Sequence, residues 1–235
     1  MDSSTGSAVV ETMNAVAASF DSPQDLSDTL ASITAAAAEA VPGMSQASIS
    51  VIDNHGVLQT LIPTGALVST ADRLQTAHGE GPCLDAAFQE KNVVVDDIAA
   101  ATDRWPTYAP EAAALGVGSQ LAIHLYHEGR SYGGLNLYSE LPNSIVAETL
   151  AMSEMFAQLA ARVMGQHFRI EGLNRSMATR QSIGQAIGII MERYELDEDQ
   201  AFQFLVRVSQ TGNVKLRFVA EEIVISANEK VADRD

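Results

Sequence analysis

The chain has 235 residues, of which 46 % are hydrophobic and 19 % charged, and its 30 acidic side chains outnumber 14 Lys/Arg for a formal net charge of −16. That length suits one large domain or two modest ones, and the apolar content excludes a disordered chain. Short apolar runs, no basic-then-apolar leader and a single cysteine, Cys83, predict a cytoplasmic protein with no membrane partner and no intrachain disulfide.

Residues 1–21 are Ser/Thr/Ala-rich and weakly patterned, and are expected to form a loose helix or to stay disordered. Ser22-Pro23-Gln24-Asp25 reads as a helix start, with Ser at the N-cap, Pro at the first helical position and an acid in the first turn. Leu26, Leu30, Ile33, Ala37 and Ala40 continue at helical spacing until Val41-Pro42-Gly43 stops the helix. Residues 46–53 alternate, residues 53–56 form a turn, and residues 57–62 read as the return strand of a hairpin.

A loop with one short helix is expected over residues 69–88, followed by a short buried strand at Val93-Val94-Val95. Pro106 and Pro110 bracket a short helical region that ends at Leu115-Gly116. Leu121, Ile123 and Leu125 alternate in a strand, and His127-Glu128-Gly129-Arg130 turns it into a second strand over residues 131–139. Strand pairs joined by short turns, with helices between them, predict an antiparallel sheet under helical cover.

From residue 144 the period becomes helical and continues to Tyr194 without a proline. Phe156, Leu159, Val163, Gln166, Ile170, Leu173 and Met177 recur at spacings of three and four, which is the seam of a coiled coil. The seam predicts a homodimer with these residues at its interface. Asp197-x-x-Gln200 resembles a capping box and starts the next helix, with Phe202, Leu205 and Val206 apolar. Gly212 is expected just past its end, and Asn213 is expected to cap a last helix carrying Leu216, Val219, Ala220, Ile223 and Ala227. The fold class is therefore α+β: an N-terminal antiparallel sheet covered by helices, a long coiled-coil connecting helix and a C-terminal three-helix module. The expected divisions are an N-terminal segment at 1–21, a sheet domain at 22–144, a connecting helix at 145–178 and the helical module at 179–235.

Charge is divided unevenly. Residues 1–160 hold 19 Asp/Glu against 4 Lys/Arg, whereas residues 161–235 hold 11 against 10. Lys215 and Arg217 fall in the first turn of the last helix, where cations oppose the helix dipole at a cost of ~0.3–1 kcal/mol. Glu221 stands four residues after Arg217, but no acid stands three or four residues after Lys215. Phosphate contact accounts for cations so placed, with Asn213, Arg180, Arg193 and Arg207 as further contacts.

Catalytic patterns are missing. A single cysteine and scattered histidines give no zinc spacing, and neither a Walker loop nor a Gly-x-Ser-x-Gly elbow occurs. No enzyme, metal or cofactor is expected. Gly79-Glu80-Gly81-Pro82-Cys83 is a fixed loop leading into a helix, and it reads either as a structural loop with a buried thiol or as an anion site whose free N–H groups could also lower the Cys83 thiol pKa. Trp105, Tyr108 and Tyr132, with Cys83, are the candidate lining of a small-molecule pocket.

Residues from about 24 to 165, with the run Gly79-Glu80-Gly81-Pro82-Cys83-Leu84-Asp85, resemble a GAF domain of actinobacterial regulators. The pattern Arg180-x-x-Ile183-x-x-Ala186-x-Gly188-x-x-Met191-x-Arg193, then Ala201-Phe202-x-x-Leu205, Ser209, Asn213 and Lys215-Leu216-Arg217-x-Val219-Ala220, resembles an ANTAR domain. One departure is Ile187, at a position where that family often has lysine. The resemblance implies a GAF module that senses a signal, through an unknown small-molecule ligand, and an ANTAR module that binds a pair of RNA stem-loops as a dimer and prevents a transcription terminator from forming. Two other functions compete with it: a sensory module whose helical tail engages a protein partner, and a helix-turn-helix DNA-binding regulator.

Overall fold

The computed structural model describes residues 26–52, 57–89 and 91–232. The expected helix start at residues 22–25 and the turn at residues 53–56 lie outside the described residues. In chain order the elements are α1 (Leu26–Ala40), β1 (Gln46–Ile52), β2 (Leu58–Leu61), α2 (Ala66–His78), α3 (Pro82–Gln89), β3 (Val93–Val95), α4 (Tyr108–Ala114), β4 (Ser119–His127), β5 (Arg130–Ser139), α5 (Ala147–Tyr194), α6 (Glu198–Gly212) and α7 (Leu216–Ala232). The chain divides into two compact units, residues 1–167 and 168–235. The division falls inside the single 48-residue helix α5.

The first unit holds one antiparallel sheet in the order β2-β1-β5-β4-β3. Alternation along its strands gives the two faces opposite characters. Ala47, Ile49, Leu121, Ile123, Leu125, Leu135 and Leu137 form an apolar face, buried under Leu30, Ile33 and Ala37 of α1 and Phe156, Ala160, Val163 and Met164 of α5. The opposite face carries Ser48, Ser50, Gln120, Asn136 and Tyr138, all fully buried. Val68 and Ala71 of α2, Ala86 of α3, and Tyr108, Ala109 and Ala112 of α4 pack on that side with Ala122 and Tyr138.

Three local outcomes differ from the sequence expectation. Residues 69–88 form two helices, because Val68, Ala71, Asp72 and Gln75 make one buried stripe on α2. Asp72 and Gln75 interrupt the apolar period and disguise that stripe. Gly79 ends α2 at φ 67°, donating its N–H to the Gln75 carbonyl. Val94 is exposed at the sheet edge, whereas Val93 and Val95 are buried. Gly212 is the last residue of α6, and Asn213 supplies the left-handed cap at φ 50°, a conformation Asn tolerates. Asn213 therefore closes α6. It does not cap α7, whose first turn closes on the Lys215 carbonyl, which accepts from Phe218 N at 2.9 Å. The Asp197 capping box forms in full, with Gln200 N donating to Asp197 Oδ1 at 2.8 Å.

Candidate functional site

The second unit has a small core of Ala186, Ile190, Ala201, Leu205, Val219 and Ala220. Ile187 is half-buried against this core. A core this small leaves most cationic side chains outside it. Arg180, Arg193, Arg207, Asn213 and Lys215 are all exposed, and Arg217 is half-buried. Among the described residues none of these cations forms an ion pair, and Glu221 does not pair with Arg217. The Arg217 guanidinium instead lies over the Phe218 ring, 4.5 Å from its centroid. Arg193 lines a groove of about 320 Å³ with Ile190, Phe204, Val208, Val219 and Glu222. Lys215 and Arg217 stand together at the start of α7, whereas Arg180 lies on α5 and Arg207 on α6.

The seam along α5 does not face one way. Phe156 is 1 % exposed and Val163 8 %, both inside the apolar core of their own sheet domain, with Leu159 half-buried against it. Phe156 and Val163 are therefore core residues, which corrects their assignment to a dimer interface. Their period is that of a helix packing on a sheet, which a seam shares. Beyond them residues 168–178 are all exposed, with Ile170 at 50 %, Leu173 at 60 % and Met177 at 68 %. Gln166 lies half-buried between the two regions.

In the sheet domain the expected pocket residues do not converge. Tyr132 belongs to the core on the apolar face, while Trp105 and Tyr108 belong to the core on the other. Trp105 carries the Arg104 guanidinium 4.4 Å from its ring centroid. Cys83 is fully buried, and burial, helped by the nearby Asp72 charge, pushes its thiol up to about 12. This is the buried thiol of a structural loop and not the lowered value of an anion site. The expected anion cradle is filled from within, since Gln75 Oε1 accepts from Cys83 N at 2.8 Å. Glu80 caps α4, its carboxylate accepting from Thr107 N at 2.9 Å and Tyr108 N at 3.2 Å. Those bonds, first the one from Thr107, hold the Glu80 carboxyl below its usual value.

What the structure does assemble on that face is a buried polar cluster centred on Asp72. Its carboxylate accepts from Ser48 Oγ at 2.6 Å, Thr60 Oγ1 at 3.1 Å, Gln75 Nε2 at 3.4 Å and the Tyr138 hydroxyl. Tyr138 in turn accepts from Gln120 Nε2 at 3.0 Å, and Gln120 accepts from Tyr108 at 2.6 Å. Asn136 donates to Ser50 at 2.9 Å and Ser48 at 3.2 Å, while its Oδ1 is buried without a partner. Burial raises the Asp72 carboxyl above its usual value, and the hydrogen bonds oppose this without cancelling it. Only Cys83 and Tyr108 of this network stand out in the sequence. Ser48 and Ser50 alternate with apolar neighbours and read as solvent-facing, although a sheet covered on both sides buries both sets.

No helix among the described residues is long and apolar enough to cross a membrane. No curated protein matches the chain. Among solved structures, residues of this chain align with a free methionine-R-sulfoxide reductase from Neisseria meningitidis in complex with its substrate, at 21 % identity and TM-score 0.52, covering 68 % of this chain and 87 % of that one. The GAF domain of an Acinetobacter phosphoenolpyruvate-protein phosphotransferase matches at 14 % identity and TM-score 0.52, over 69 % of this chain and 96 % of its own. The equivalent domain from Coxiella burnetii matches at 20 % identity and TM-score 0.50, over 70 % and 96 %. These likenesses show the fold of the first unit. The family model of the GAF domain matches residues 23–164, and that of the ANTAR domain matches residues 171–224. With more than half its length in the first match, the chain belongs to the GAF domain family and has the architecture of a GAF–ANTAR regulator.

Proposed function

We propose that this regulator is a non-enzymatic, signal-responsive transcription antiterminator that binds tandem RNA stem-loops as a homodimer in the cytoplasm. The observation that carries the RNA reading is the state of the cations on the ANTAR module. Arg180, Arg193, Arg207 and Lys215 are exposed, and none has an acidic partner among the described residues. Unpaired cations on an otherwise acidic chain suit a polyanion. The dimer reading rests on the bare stretch at Ile170, Leu173 and Met177. A single helix exposing three large apolar side chains, with none of the described residues over them, is stabilised by a second helix.

The proposed signal enters at the buried polar cluster, where the orphaned Asn136 Oδ1 gives an incoming donor something to gain. The fold is shared with a reductase, but Cys83 argues for a non-catalytic domain: a thiol pushed up to about 12 is almost entirely protonated at neutral pH and is a poor nucleophile. Domain limits of 22–144, 145–178 and 179–235 are proposed for the sensory, connecting and RNA-binding parts. The test is a band shift with full-length protein on tandem stem-loop RNA, single-stranded RNA and duplex DNA of equal length. Preference for the tandem stem-loops supports the reading. Preference for duplex DNA overturns it in favour of a helix-turn-helix regulator, and no binding to any of the three favours a protein partner.

A further inference from the structure

We propose that Phe218 is a stacking platform for an unpaired nucleotide base, a proposal that rests on the RNA reading above and names the contact within it. Phe218 follows Arg217 near the start of α7 and is 47 % exposed, while the next two residues, Val219 and Ala220, are core. The helix thus turns its inward face to the core at 219 and 220 and presents an aromatic ring beside it. Val214, four residues earlier, is also exposed at 42 %. Phe218 is not among the residues of the module's core or those packed against it, so core packing does not account for the ring.

The two faces of the ring differ. One carries the Arg217 guanidinium at 4.5 Å from the centroid. Arg217 Nε is buried without a hydrogen-bond partner, so stacking on the ring is what fixes this guanidinium. The Arg217–Phe218 pair is a preformed flat, cationic surface. Lys215, immediately before the first residue of α7 and three residues before Phe218, is exposed. A ring flanked by two cations selects an occupant with a flat π-face and a negative charge within a few ångströms, which describes one nucleotide of a single-stranded loop. A duplex does not fit, because its bases are stacked on one another. A second copy of this chain fits poorly, because a two-fold contact sets each patch against its own like and brings Lys215 and Arg217 onto the same cations.

The experiment uses the full chain and a pool of tandem stem-loop RNAs with randomised loop nucleotides, enriched on the wild-type protein. Phe218→Ala is expected to bind the enriched RNA about ten-fold more weakly, with the salt slope unchanged because no phosphate contact is lost. Phe218→Trp is expected to retain binding, with its fluorescence altered by RNA. Replacing loop nucleotides one at a time by abasic sites should reveal a position that weakens binding to the wild type and not to Phe218→Ala. Circular dichroism and sedimentation of each variant establish that fold and oligomeric state are kept. Failure to enrich any RNA overturns the RNA reading and this inference together. Equal binding of enriched RNA by wild type and Phe218→Ala overturns this inference alone, and so does loss of the dimer in Phe218→Ala, which would place the ring in a protein interface.

Discussion

Phe156→Ala and Leu173→Ala, two truncations 17 residues apart on one helix, are expected to fail in different ways. Phe156 is 1 % exposed and packed among Leu30, Ile49, Leu135 and Ala160 in the sheet-domain core. Its truncation leaves a cavity and removes most of an aromatic side chain, at about 3–5 kcal/mol. For a unit the size of residues 1–167 that lowers the thermal midpoint by roughly 10–15 °C, at any protein concentration. Leu173 is 60 % exposed, so within the isolated chain its truncation changes stability by less than about 0.5 kcal/mol. If a second helix covers it, truncation on both helices weakens the dimer by about 2–4 kcal/mol, or roughly thirty-fold or more in dissociation constant. Thermal melts over a hundred-fold range of concentration, with sedimentation equilibrium alongside, separate the two. A concentration-independent loss in Leu173→Ala matching that in Phe156→Ala would refute the reasoning, since Leu173 would then be packed by its own chain.

Lys215→Glu with Arg217→Glu is expected to abolish RNA binding in a band shift while the dimer state is kept and stability falls by no more than about 1 kcal/mol, since neither side chain is in an ion pair and the loss is that of the Arg217–Phe218 stack; unaltered RNA affinity would remove the start of α7 from the binding face. Gly133 has φ +133°, and a Cβ there would collide with the Ser50 carbonyl oxygen on the neighbouring strand. Gly133→Ala must part β5 from β1, and a loss of more than about 2 kcal/mol is expected in denaturant unfolding. The Asp72 carboxyl is raised from 3.8 by burial, so the folded state holds a proton that the unfolded state releases first. Its contribution to stability is present below the ordinary carboxylate value and is lost as pH rises through the raised folded value. Asp72→Asn cannot lose that proton, so its stability relative to wild type is expected to improve from about pH 4 upward in denaturant titrations; a gap independent of pH would show that Asp72 is not raised.

Much of this protein was legible locally. Alternation marked the strands that carry Ile49, that carry Leu121, Ile123 and Leu125, and that carry Leu135 and Leu137, because half of each strand faces an apolar core. The capping box at Asp197 and Gln200 formed as spelled, because its two hydrogen bonds join residues three apart and need nothing from elsewhere in the chain. The three-helix module was legible for the same reason: its core positions recur at helical spacing within short segments.

Other features depended on what arrives from far along the chain. The period through Phe156 and Leu173 is continuous, yet one residue is buried in the core of its own sheet domain and the other is 60 % exposed, a difference that the spacing does not carry. Asp72 and Gln75, which interrupt the apolar period of their helix, are the hub of a buried network, because Ser48, Thr60 and Tyr138 come from three different strands to satisfy them. Tyr132 on β5 and Tyr108 on α4 belong to cores on opposite faces of the sheet, because α4 packs against the face away from that core, which composition does not show. The sequence by itself determined most of the elements and the order of the domains, because periodicity and caps are properties of neighbouring residues. Only the tertiary structure decided which apolar and polar side chains are covered, because burial is a property of the partners that folding brings together.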